Sequence, residues 1–192
     1  MNIIVTPRLL LRPFEPADLP DVARLFADPE VMRFIRAPRT LVESEAKFRS
    51  MVADFTRDGF GMFAVIDRRE KAFIGRCGLQ PLPGTGLYEL GYTFFPNAWG
   101  KGYATEASKA VLHRAFEEWG LDEVVAVADR EHIRSIRVME KLGMQFERND
   151  VFYEKECVLY SIVKKKLIQP STRPFSSPFI PSSQSGRNIF VK

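Results

Sequence analysis

The stretch "PNAWGKGYATEA", Pro96–Ala107, decides how this chain is read. It follows the strand-like run "YELGYTFF" and opens the helix-like run "ATEASKAVLHRAFEEWG". Two glycines, Gly100 and Gly102, therefore sit between a strand's end and a helix's start. The first N–H groups of a helix have no partner within it, and the helix dipole is positive there. Glycines let a ligand approach that bare backbone, and such a place binds phosphate oxygens. A tight strand-to-helix turn that binds nothing has the same local pattern. A P-loop would need Ser or Thr after its lysine, and Lys101 is followed by Gly102. A dinucleotide fingerprint would need a third glycine where Thr105 stands, and parallel strands before it.

Outward from the loop, periodicity predicts one α/β domain over residues 1–169. Toward the N-terminus, "GMFAVID" and "AFIGRCGLQPL" read as strands joined by "RREK", and "RLLLRPF" as the first strand. Asp18 is placed to cap a helix beginning "LPDVARLF", with Pro20 harmless in its first turn. "TLVE", Thr40–Glu43, is a capping box for the helix "AKFRSMVADF". Toward the C-terminus, Ala104, Ala107, Val111, Ala115 and Trp119 share a helix face. "DEVVAVAD" is a buried strand, "IRSIRVMEKLG" a helix ended by Gly143, and "MQFERNDVF" and "CVLYSIVKK" are closing strands. The order β-α-α-β-β-β-α-β-α-β-β predicts a mixed sheet with helices on its faces.

Composition narrows the functions. The chain has 192 residues, 45% hydrophobic and 27% charged, enough for one domain with a real core. There is no long apolar run to span a membrane, and the start "MNIIVTPRLLLRP" lacks the order of a secretory signal. Cys77 and Cys157 form no CxxC pair, which predicts a reducing, cytoplasmic setting. Two histidines, His113 and His132, provide no multi-histidine metal site. Residues 170–192 are rich in Pro and Ser and read as a disordered tail. Its cations Arg173, Arg187 and Lys192, with no acid among them, supply most of the net +4. The body is nearly neutral, which argues against direct nucleic-acid binding.

Four segments, in order, resemble the GCN5-related N-acetyltransferase (GNAT) superfamily, and within it the RimJ/RimL-like branch. They are "TPRLLLRPF", "DPEVMRF", "ELGYTFFPNAWGKGYATEA" and "HIRSIRVMEKLGM". The resemblance implies a GNAT fold: a mixed, mostly antiparallel sheet, splayed at the cofactor site, with helices on both faces. The gap would lie between the "YELGYTFF" and "DEVVAVAD" strands. It implies acetyl-CoA as co-substrate, no metal, and an amine acceptor. The superfamily's Q/R-x-x-G-x-G/A motif falls on Trp99, Gly102 and Ala104, with tryptophan replacing the first polar residue. Amides of Gly100, Lys101, Gly102, Tyr103, Ala104 and Thr105 would then hold the pyrophosphate. Backbone near Phe94 and Phe95 would pair with the pantetheine arm, and only one of these two side chains can face the gap.

The resemblance also implies direct attack of an amine on a thioester, which requires no nucleophilic cysteine. Glu89, on the same strand as Phe94, is the candidate base; a solvent-facing strand residue or a salt-bridge partner is the other reading. His132 stands where the superfamily usually has an asparagine toward the cofactor, and Met139 where it often has an acidic tyrosine. Ser135, which could cap its helix, is then the candidate donor to the sulfur. Arg36, in "MRFIRAPRT", and Tyr153, in "NDVFYEKE", are candidate acceptor-binding residues on two opposing walls. Arg33 and Arg39 lie in the first wall, and Asp150, Glu154 and Glu156 in the second. The acceptor is expected to be a small amine or a protein N-terminus, and the protein a monomer or homodimer. A non-catalytic acyl-CoA sensor is the alternative.

Overall fold

The computed structural model describes residues 2–164, so the tail expected at 170–192 lies outside the described residues. Eight strands form one sheet: β1 (Ile4–Val5), β2 (Leu9–Arg12), β3 (Met62–Asp67), β4 (Ala72–Pro81), β5 (Tyr88–Phe94), β6 (Glu123–Asp129), β7 (Gln145–Phe152) and β8 (Lys155–Val163). The spatial order is β1-β2-β3-β4-β5-β6-β8-β7. Every neighbouring pair is antiparallel except β5–β6, which is parallel. The helices are α1 (Leu19–Ala27), α2 (Pro29–Met32), α3 (Leu41–Asp58), α4 (Tyr103–Glu117) and α5 (Ile133–Lys141).

Local chemistry explains most of these bounds. Thr40 and Glu43 form the expected capping box at the start of α3, and Gly59 ends the helix at φ 75°. Between β3 and β4, Asp67 Oδ1 accepts the N–H groups of Arg69 at 2.9 Å and Glu70 at 3.1 Å, closing the hairpin. Two elements exceed the sequence expectation. β1 is two residues long, too short to show alternation. α2 is a single turn that Asp28 caps by accepting from Glu30 and Val31 N–H, with Pro29 at its first position. Asp18 makes no capping hydrogen bond to α1. Its carboxylate instead takes a two-pronged pair from Arg12, at 2.6 and 2.8 Å, because the preceding strand brings that guanidinium alongside.

The apolar residues divide between the two faces. Leu9, Leu11, Phe63 and Leu79 of the sheet pack with Val111 and Ala115 of α4. Val22, Leu25 and Phe26 of α1 pack with Phe48 and Met51 of α3 and with Met62. The edge strand β7 is exposed along most of its length and carries Glu147, Arg148 and Asp150, which discourage pairing with another chain.

Candidate active site

β5 and β6 pair at one position, Glu89 opposite Val125, and diverge beyond it. The strands open as a wedge with Glu89 at its apex. A cleft of about 1020 Å³ occupies the open side, lined by Tyr92 and Phe94 of β5, the glycine loop, and the N-terminal half of α5.

The loop is held from outside. Trp99 Nε1 donates to the Phe94 carbonyl at 2.8 Å, and Arg8 Nη1 to the Lys101 carbonyl at 2.8 Å. Arg8 also pairs with Glu106, and Tyr103 donates to Asp67 at 2.7 Å. Gly102 takes φ 80° as the residue before α4, and no side chain caps that helix. The first helical bond is Glu106 N–H to the Gly102 carbonyl at 3.0 Å, so Tyr103, Ala104 and Thr105 present free amides. At Gly100, also at positive φ, nothing lies within 4 Å of where a Cβ would stand. The far wall is positive: Arg134 and Arg137 of α5 line the cleft, and the Arg134 guanidinium lies 5.4 Å from the Trp99 ring centre.

Glu89 is 6% exposed. Gln80 Nε2 donates to its carboxylate at 3.1 Å, and the Tyr153 hydroxyl donates to the same oxygen. Burial raises its pKa above the usual carboxylate range; the Tyr153 and Gln80 hydrogen bonds and nearby Arg76 and Lys47 partly oppose this. On the other face of β5, the Tyr92 hydroxyl meets Ser135 Oγ at 2.9 Å and the Ser135 carbonyl at 3.0 Å. Burial raises the Tyr92 pKa, so the phenol keeps its proton at neutral pH. His132 stacks on Phe34 at 4.6 Å, and burial lowers its pKa, which favours neutral imidazole. Burial pushes the Cys77 thiol up to about 12, an inert group rather than a nucleophile.

Residues 8–145 match the model of the acetyltransferase (GNAT) domain. The chain belongs to the GNAT acetyltransferase family. An uncharacterized N-acetyltransferase of Bacillus subtilis, YnaD, is 38% identical over 152 residues, covering 79% of this chain and 86% of that one. The crystal structure of an acetyltransferase from Agrobacterium tumefaciens has 26% identity and a TM-score of 0.78, covering 85% of this chain and 95% of that one. A spermidine N-acetyltransferase from Vibrio cholerae, solved with CoA and spermine, has 20% identity and a TM-score of 0.70, with 82% and 96% covered. That last likeness concerns the fold. The protein is therefore an acetyltransferase of the GNAT type, a class that uses acetyl-CoA and acts on amine acceptors. Among the described residues, no helix is long and apolar enough to cross a membrane.

The GNAT cleft gathers Phe94, Trp99, Gly100, Gly102, Tyr103, Ala104, Thr105, His132 and Ser135. Phe95 falls outside it. As the residue after Phe94 on an extended backbone it points to the opposite face, where it packs edge-on against Phe73. Lys101 has its side chain in solvent and contributes to the loop through its backbone. Arg36 also lies outside and is exposed. The turn that follows α2, where the N–H groups of Ile35 and Arg36 donate to the Met32 carbonyl, separates the three arginines of that wall: Arg33 lines the cleft, while Arg39 reaches the Phe26 ring at 5.6 Å. Tyr153 does not stand alone on a wall but reaches Glu89, and neither of the two lines the cleft itself. On that wall Asp150 and Glu156 pair with Arg148 and Arg130 at the surface. Met139 is fully buried in the core, so that position does not meet the cleft. Tyr92 was not singled out from sequence, although it shares the face of Phe94 two residues away.

Proposed function

We propose that this GNAT acetylates a primary amine from acetyl-CoA by direct attack in a ternary complex. Glu89 serves as base, and the Tyr92–Ser135 hydroxyls as donors to the departing sulfur. The observation that carries this reading is the position of Glu89, a buried carboxylate at the one point where β5 and β6 pair. Tyr92 stands three residues along the same strand, on the other face, so the two roles approach one site from opposite sides of β5.

The residues present fit the co-substrate. Free amides of the loop suit a pyrophosphate, the unpaired edge of β5 beyond Glu89 suits the amides of a pantetheine arm, and Arg134 and Arg137 suit phosphate charge. Bound there, acetyl-CoA supplies a thioester carbonyl and a thiolate leaving group. Glu89, its pKa raised by burial, accepts the proton the amine sheds, directly or through water. Tyr92 of β5, whose hydroxyl donates to the Ser135 carbonyl in this structure, and Ser135 of α5 turn their hydroxyls to donate hydrogen bonds where negative charge grows on sulfur. Neutral His132 offers one donor and one acceptor beside them. The four segments quoted above support a RimJ/RimL-like assignment within the family, and with it a protein N-terminus or a small amine as acceptor.

The test is acetyl transfer to a panel of small amines and peptide N-termini, read by thiol release and by product mass, alongside CoA affinity by calorimetry. The expected result is acetylated product with at least one amine. CoA binding without transfer to any member would instead support the sensor.

A further inference from the structure

The face of the sheet that carries Glu89 holds more positive charge than acetyl transfer uses. The β4–β5 register sets Gln80 opposite Glu89, Gly78 opposite Gly91 and Arg76 opposite Thr93. Arg76 is 9% exposed. Its Nε has no hydrogen-bond partner, and Nη1 meets only the Met51 sulfur at 3.6 Å. Its guanidinium lies 5.1 Å from the Phe26 ring centre, and that of Arg39 lies 5.6 Å from the same ring. Lys47 of α3 enters the same space, its Nζ 3.5 Å from Gln80 Oε1. Burial and nearby Arg76 bring the Lys47 ammonium down to about 8, and burial brings Arg76 to about 10.

The acids in reach do not balance these cations. Glu89 is the buried one and already accepts from Gln80 and Tyr153. Asp54, which acts on Lys47, pairs with Arg57 at 2.9 Å, and Glu43, which acts on Arg39, is taken up by the Thr40 cap. Among the described residues none of Arg39, Lys47 and Arg76 makes a salt bridge. A buried charge left unpaired is costly, and an idle Nε on a buried guanidinium marks an incomplete site. The guanidinium fork matches a carboxylate.

We propose that Arg76, assisted by Lys47 and Arg39, receives a carboxylate carried by the acceptor, so that the acceptor is a small amino carboxylate. This rests on the acetyl-transfer reading and names its substrate class. The amine of such a molecule points along β5 toward Glu89. Gly91 places no side chain on the floor between the two rows, and the Met62 side chain crosses it, 3.8 Å from where a Gly91 Cβ would stand; at Gly78 the Gly61 carbonyl and the Met62 backbone fill that position. Met51 and Met62 are unbranched and adaptable, the side chains best able to give way to a ligand. The burial of Arg76 beneath Phe26 and Met51 suits a small anion better than a peptide.

The experiment compares α-, β- and γ-amino acids with their carboxamides, with spermidine as an anion-free amine and an acidic peptide as a larger one. In wild type the free acid is expected to exceed its amide by more than roughly tenfold in kcat/KM. In Arg76→Met that preference is expected to fall to about twofold or less, mainly through KM, with CoA affinity unchanged. The variant removes an unpaired buried charge, so its melting temperature should equal or exceed that of wild type. A merely structural arginine would give a lower melting temperature and an unaltered preference. Lys47→Met provides the same comparison should Arg76→Met fail to fold. A turnover-free arm measures binding of N-acetylamino acids against their amides in the presence of CoA. Acid-selective binding without any acetyl transfer contradicts the transfer reading and leaves the carboxylate site standing. Equal or absent binding of acid and amide, or preferred transfer to amides, spermidine or the peptide, overturns the proposal.

Discussion

The Tyr92 hydroxyl lies 2.9 Å from Ser135 Oγ, joining a strand and a helix across the mouth of the cleft. Because the two hydroxyls form one unit, their substitutions should not act independently. Tyr92→Phe and Ser135→Ala are each expected to slow turnover by roughly 10- to 100-fold, the cost of one donor to developing charge. The double variant should be little worse than the slower single variant, with acetyl-CoA affinity nearly constant throughout. Single-turnover rates check this, since product release cannot mask chemistry. Fully additive losses would separate the two residues into unrelated roles.

Gly102→Glu places a Cβ and a negative charge at the N-terminus of α4, on a backbone at φ 80°. The strain should cost about 1 kcal/mol of stability, a modest fall in melting temperature. CoA affinity should drop far more, on the order of 10²-fold, because the carboxylate competes for the amides that would hold the pyrophosphate. Calorimetry on the folded variant decides; near-normal affinity would remove the loop from the cofactor site.

The loop is legible in the sequence because its determinants are local: two glycines, a strand before them and a helix after. Thr40–Glu43 and Gly143 are readable for the same reason. Alternation from Phe94 also marks Tyr92 and sets Glu89 on the opposite face, though the partners of either are hidden. Tyr153 meets Glu89 across 64 positions only because the β7–β8 hairpin folds over β5. The isolation of Arg76 depends on α1 and α3 closing over the sheet. Arg33, Arg36 and Arg39 look alike in sequence and are parted by a turn after α2, closed by backbone hydrogen bonds to the Met32 carbonyl that no residue type signals. Asp18 has the right type and spacing for a cap, yet Arg12 offers it a stronger charge-assisted partner.

Tyr153→Phe removes a hydrogen bond that favours the ionised form of Glu89. The Glu89 pKa, already raised by burial, should therefore rise further. A base works in its deprotonated form, so the acid limb of the kcat/KM–pH profile should move to higher pH. At pH values well above that limb the rate should change little. An acid limb that stays in place would show that Glu89 does not set it.

Glu89→Gln tests the central claim most directly. The substitution keeps size and hydrogen-bonding capacity but cannot accept the amine's proton. Single-turnover acetyl transfer should fall by roughly 10²-fold or more, with CoA affinity unchanged and the acid limb of the pH profile abolished. A variant that transfers acetyl at the wild-type rate with the wild-type pH profile would contradict the account and leave Glu89 a structural residue at the apex of the wedge.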